Sequence, residues 1–200
     1  LGSTSTITYN FPIGIHTVSL AVTDDKGAVN SDTVIVTVNQ KPNNNPSPSI
    51  FFDDFKNFSN WVESGEFDWN VEMPTEKNIT GKPLPNYVAH ADNCDNGCFL
   101  TMKNPIDLSQ YQSATLKFQR YVDNEIDAGE FLRVDLYNGA VWNTLYNWTD
   151  GKGDDDTWRN ESIDLSNYLV SNFNVRFVTK EGSSTEDAEI DDVSVVGTPK

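Results

Sequence analysis

The sequence predicts an all-β protein whose larger part is an antiparallel β-sandwich or jelly roll, and three observations carry that expectation. Apolar residues alternate with polar ones in short runs, as at Ala114, Leu116 and Phe118, at Leu132, Val134 and Leu136, and at Val175 and Phe177. Strand side chains point to opposite faces in turn, so this period of two marks strands with one buried face. Gly, Asn, Asp and Ser fill the intervals, and almost no stretch carries the helical period. With 37% hydrophobic and 12% aromatic content, 200 residues can bury one full core, which excludes a disordered chain and a disulfide-dense miniprotein.

Residues 1–40 alternate cleanly. Val18, Leu20 and Val22 share a face, Asp24-Asp25-Lys26-Gly27 supplies a turn, and Val34, Val36 and Val38 share a face of the following strand. The run from Tyr9-Asn10-Phe11-Pro12 to Val22-Thr23-Asp24-Asp25-Lys26-Gly27 resembles the second half of a PKD domain, an Ig-like β-sandwich. The resemblance implies a partial Ig-like segment. An isolated hairpin is marginal, so the segment is expected to dock on other structure, to pair with a neighbouring molecule, or to be a remnant of a larger domain. Residues 41–48, Lys-Pro-Asn-Asn-Asn-Pro-Ser-Pro, read as an extended linker to a domain over 49–200.

In that second domain the landmarks run Asp53-Asp54-Phe55, Trp61 and Trp69, Ile106-Asp107-Leu108-Ser109, Ala114 to Phe118, Trp158, Ile163-Asp164-Leu165-Ser166, Val175-Arg176-Phe177 and Ile190-Asp191-Asp192-Val193. Their order resembles the MAM, cleaved-adhesin and carbohydrate-binding-module group of jelly rolls. The four-cysteine pattern of animal MAM domains is absent, which points to a microbial relative.

Charge excludes one class of partner. The formal net charge is −16, of which residues 49–200 carry −15, and no basic patch offers the phosphate neutralisation that nucleic acid binding needs. No apolar run is long enough to span a bilayer. The N-terminus lacks the regions of a signal peptide, so a segment of a longer extracellular or cell-surface chain is expected. Cys94 and Cys98 enclose Asp95-Asn96-Gly97, a spacing that allows a small disulfide-closed turn suited to an oxidising compartment, or else two free thiols. With His16 and His90 as the histidines, a structural zinc site lacks ligands. The sequons at Asn57, Asn78, Asn147 and Asn160 permit glycosylation.

The paired aspartates point to a cation. Whichever register holds, one residue of Asp53-Asp54 and one of Asp191-Asp192 lies on the apolar side of its strand, where an uncompensated carboxylate is costly. Pairing of the first and last strands would also set two such carboxylates against each other, and a hard cation, usually Ca2+, resolves the conflict. The jelly-roll resemblance implies the same structural Ca2+, held by Asp53 or Asp54 and Asp191 or Asp192. Asp92, Asn93 and Glu130 are the candidates for the remaining ligands. The twelve residues from Asp150 to Glu161 have the length of an EF-hand loop but put Lys152 third and Asp155 sixth, and no amphipathic helix flanks them, so a solvated acidic loop is expected.

No nucleophile elbow, zincin helix or phosphate-binding glycine loop is present, and the fragment is expected not to be an enzyme. His90 is expected to be a hydrogen-bonded structural residue. Trp142, Thr144, Tyr146 and Trp148 would share one face of a strand, and Trp142, Tyr146 and Trp148 form either a sugar-stacking platform or part of an ordinary core. The overall expectation is a non-catalytic accessory region of a secreted or surface protein, such as a subtilisin-like peptidase or another hydrolase, that tethers, binds or stabilises. A carbohydrate-binding module and a protein-protein adhesion module, taking a polysaccharide or a cell-surface protein, are the alternatives.

Overall fold

The computed structural model describes residues 6, 8–12, 14–38, 49–66, 69–73 and 86–200; the expected linker at 41–48 and the sequon at Asn78 lie outside them. The chain divides into two compact units, Leu1–Pro46 and Ser47–Lys200. In the first, β1 (Gly14–Thr23) and β2 (Val29–Val38) pair antiparallel from Gly14 opposite Val38 to Thr23 opposite Val29. The turn is held by Asp24, whose Oδ1 accepts from the amides of Lys26 at 2.9 Å and Ala28 at 2.7 Å, while Gly27 takes φ 84°. Val18 stands opposite Val34, so the two valine-rich stripes merge on one face.

The second unit is an antiparallel β-sandwich. Its strands are β3 (Ser49–Asp53), β4 (Trp61–Gly65), β5 (Trp69–Glu72), β6 (Val88–Ala91), β7 (Cys98–Met102), β8 (Tyr111–Val122), β9 (Phe131–Tyr137), β10 (Trp142–Thr149), β11 (Arg159–Asp164), β12 (Asn174–Lys180) and β13 (Ala188–Pro199). One sheet runs β10-β9-β12-β7-β4 and the other β11-β8-β13-β6-β5, with β3 added to β13. The core between them is aromatic: Phe118 meets Phe177 edge-on at 5.1 Å, and Trp61 lies 5.8 Å from Phe177. Trp69, Leu100, Leu116, Leu132 and Leu136 are fully buried beside them.

β13 organises its sheet. Along one edge it pairs with β8; along the other it pairs first with β6, through Ala188 to Ile190, and then with β3, through Val193 to Val196. The change of partner falls at Asp191-Asp192, where the register against β8 shifts and Asp192 takes φ 51°. The two Ile-Asp-Leu-Ser motifs make the same turn. Each aspartate accepts from the serine amide and hydroxyl two residues on, while Leu108 and Leu165 between them are fully buried. These serine hydrogen bonds, hydroxyl first, hold the Asp107 and Asp164 carboxyls below their usual range.

Candidate functional site

The first and last strands of the sandwich do pair, but their aspartates do not converge. Asp53 stands opposite core-facing Val193, whereas Asp191 stands opposite Gln119, out of phase with core-facing Ile190. Cross-strand partners share a face, so the two carboxylates start from opposite sides of the sheet. Asp53 is buried among donors: the Phe55 amide at 2.8 Å, Asn60 Nδ2 at 2.8 Å and the Trp61 indole N–H at 3.2 Å. Asp191 accepts from Asn86 Nδ2 at 3.1 Å and from the Asp192 amide at 2.7 Å. Asp54 pairs with Lys56 at 2.6 Å on the surface, and Asp192 lines a separate depression with Lys117, Gln119 and Asn160.

The other expected ligands belong to a different place. Asp92 follows Ala91, which pairs with Ala188, five positions along β13 from the partner of Asp53 and so ~15 Å away at strand spacing. The seven residues expected around one ion therefore fall into two groups, because β6 and β3 occupy different lengths of the same strand edge. Asn93, at φ 54°, donates its amide to the Ser183 carbonyl at 3.3 Å, and Glu130 Oε2 accepts from the Asp127 amide at 2.6 Å. Cys94 and Cys98 are disulfide-bonded, and Gly97 between them takes φ 96°. In the acidic loop Asp154 and Asp156 accept backbone amides and Asp155 pairs with Arg159, so these three carboxylates already have partners. His90 is structural: it is buried and bonded to Asp187 at 3.0 Å. Burial pushes its imidazole down, but Asp187 first, then Glu189 and Glu72, leave its pKa raised overall.

The aromatic stripe of β10 is broken. Thr144 pairs with Asp135 but Tyr146 with Val134, so Leu145 is the extra residue of a β-bulge. Parity flips there. Trp142 and Thr144 lie on the outer face of the sheet, whereas Trp148 joins the core at 6% exposure, stacked 6.0 Å from Tyr146 and edge-on to Phe118. Arg120 caps that ring at 4.4 Å and bonds Glu161 at 2.8 Å; burial lowers its pKa, with Glu161 opposing. Trp61 and Trp69 are core residues too.

What remains with Trp142 is a platform from neighbouring strands. Tyr137 of β9 lies 5.3 Å from Trp142, and the Arg176 guanidinium of β12 sits 4.4 Å over Trp142 and 5.2 Å from Phe99 of β7. Arg133 lies 5.1 Å over Phe131. Asp135, 1% exposed, fixes both guanidinium groups. Its Oδ2 accepts from Arg176 Nε at 2.9 Å, and its Oδ1 accepts from the Thr144 hydroxyl at 2.7 Å and ion-pairs with Arg133 at 3.3 Å without hydrogen-bond alignment. Phe99, Arg133 and Asp135 were not singled out from sequence, Arg176 stood only in a landmark motif, and Tyr137 was one of several tyrosines that could join an aromatic platform. Their alternation with core residues in β7, β9 and β12 was the available signal.

No known protein-family profile matches the chain, and no curated protein matches it. Solved structures do resemble it. TmCBM61, in complex with β-1,4-galactotriose, aligns with TM-score 0.52 at 14% identity over 77% of this chain and 96% of that one. The K3 cleaved adhesin domain of Lys-gingipain from Porphyromonas gingivalis W83 aligns with TM-score 0.51 at 14% identity, over 75% of this chain and 100% of that one. An exo-β-agarase aligns with TM-score 0.50 at 16% identity over 76% of this chain and 25% of its own. At these identities the likeness is one of fold, and the chain shares the β-sandwich of adhesin and carbohydrate-binding domains.

Proposed function

We propose that the chain is a non-catalytic binding module of a larger extracellular or cell-surface protein, and that it takes a neutral polysaccharide across the outer face of β7, β12, β9 and β10. The carrying observation is the half-buried cluster of Trp142, Tyr137 and Phe99 with a guanidinium held rigid by a buried carboxylate. Sugar rings present C–H faces that bury well against aromatic rings, and their hydroxyls accept from guanidinium N–H groups. Asp135 is engaged by Arg176, Arg133 and Thr144, so this face offers no free acid-base pair around the rings. A net charge of −16 repels polyanions and leaves neutral glycans as the better ligand. The fold shared with a quarter of an exo-β-agarase chain supports a hydrolase parent, and the PKD-like first 40 residues fit a secreted enzyme such as a subtilisin-like peptidase.

A glycan array with affinity electrophoresis on soluble galactans, glucans and mannans tests this reading. Trp142→Ala is expected to weaken binding by about tenfold or more, as for a lost aromatic contact of ~1.4 kcal/mol, and Tyr146→Ala to leave it unchanged. Silence on every neutral polysaccharide would remove the proposal. The second reading, protein-protein adhesion, is favoured by the fold shared with the cleaved adhesin domain. It predicts retained capture of a surface protein when all glycans are silent.

A further inference from the structure

Three loops meet at one end of the sandwich: Asp92 to Cys98 after β6, Asp123 to Glu130 after β8, and Glu181 to Asp187 before β13. The Asn93 amide bonds the Ser183 carbonyl, and the Glu181 amide bonds the Cys94 carbonyl at 3.3 Å. Carboxylate oxygens of Asp127, Glu130 and Glu186 all lie within 4.8 Å of one another. Glu130 and Glu186 are oriented by backbone hydrogen bonds: Glu130 Oε2 accepts from the Asp127 amide at 2.6 Å and Glu186 Oε2 from the Gly182 amide at 2.9 Å. Gly182 gives them room, because a Cβ there would stand 2.6 Å from Glu130 Oε1.

A fourth carboxylate, close enough to feel the charge of Glu186, is buried in the protein interior. Glu181 is 1% exposed; Thr179 donates its hydroxyl to Oε1, and Oε2 has no hydrogen-bond partner. Among the described residues, none of Asp127, Glu130, Glu181 and Glu186 is paired with a Lys, Arg or His. An orphaned buried carboxylate oxygen beside further acidic groups is a costly arrangement that a cation relieves.

We infer that these loops bind a Ca2+ ion, with Asp127, Glu130 and Glu186 as ligands and the buried Glu181 carboxylate as a neighbour whose charge the ion offsets. The donor set is all oxygen: both cysteines are committed to the disulfide and His90 Nε2 to Asp187, so zinc is disfavoured. The number of carboxylates then selects among hard cations. Mg2+ keeps several waters and is bound through one or two carboxylates, whereas Ca2+ accepts several carboxylate oxygens in flexible geometry, so three converging carboxylates suit Ca2+. This site is separate from Asp53 and Asp191 and independent of the glycan reading.

The test is isothermal titration of CaCl2 and MgCl2 into the EDTA-stripped 200-residue chain, with thermal melts in parallel. Wild type is expected to bind Ca2+ more tightly than Mg2+ and to melt higher with it. Asp127→Asn and Glu130→Gln, both at positions that are not buried, are chosen so that folding survives; together they should weaken Ca2+ by about tenfold or more and flatten the melting response. Asp54→Asn and Asp192→Asn should leave both unchanged. An unmoved melt with no heat of binding overturns the inference, as does a response that survives the first pair and is lost in the second.

Discussion

Asp53 takes three donors, the Phe55 amide, the Asn60 side chain and the Trp61 indole, into one buried carboxylate. Removing the acceptor strands those donors in a site with little water. Asp53→Ala is expected to cost roughly 2–4 kcal/mol in chemical denaturation, since each stranded buried donor is worth about 1–3 kcal/mol. Asp53→Asn, which keeps one acceptor oxygen, should cost distinctly less; a cost below ~1 kcal/mol for the alanine variant would mean that the donors find water instead. The acidity of this position and the disulfide turn around Gly97 were legible in the sequence, because both depend on residues close together in the chain. The donors were not, because Asn60 and Trp61 reach back to Asp53 only through the turn that joins β3 to β4.

At the scale of elements, alternation made β8, β9 and β12 legible, whereas the repeated Ile-Asp-Leu-Ser, which stood only as a landmark, proved to form two turns whose leucines reach the core. β10 was misread for a physical reason: nothing local distinguishes Leu145 from its neighbours, and a bulge exists only relative to a partner strand. Deleting Leu145 removes the extra residue while Thr144 stays opposite Asp135 and Tyr146 opposite Val134, so Trp142 keeps its outer face and Trp148 its place in the core. The variant is expected to melt within a few degrees of wild type, its tryptophan emission unmoved. A red shift with a loss of about 3–5 kcal/mol, that of losing a buried aromatic, would show that the bulge itself holds Trp148 in place.

For the whole molecule, composition and alternation made the sandwich legible but not which loops meet. Asp92, Asp127 and Glu186 lie far apart in the chain and come to one end only because β13 pairs with β6 and β8 there. The same strand has a mechanical consequence at its other end. Among the described residues β3 is bonded to β13 alone, with Ser49 opposite Val196, so the points where the chain enters and leaves the sandwich sit at the same end of one antiparallel ladder. Tension applied across the module would load those hydrogen bonds one after another, like a zipper, instead of all at once in shear. In a single-molecule pulling experiment between Ser47 and Lys200, β3 is expected to peel off first in a short, low-force step before the rest gives way. One abrupt high-force rupture of the whole unit would contradict this. A module that tethers its parent to a surface would then yield under load at a fixed place, and re-form when the strain is released.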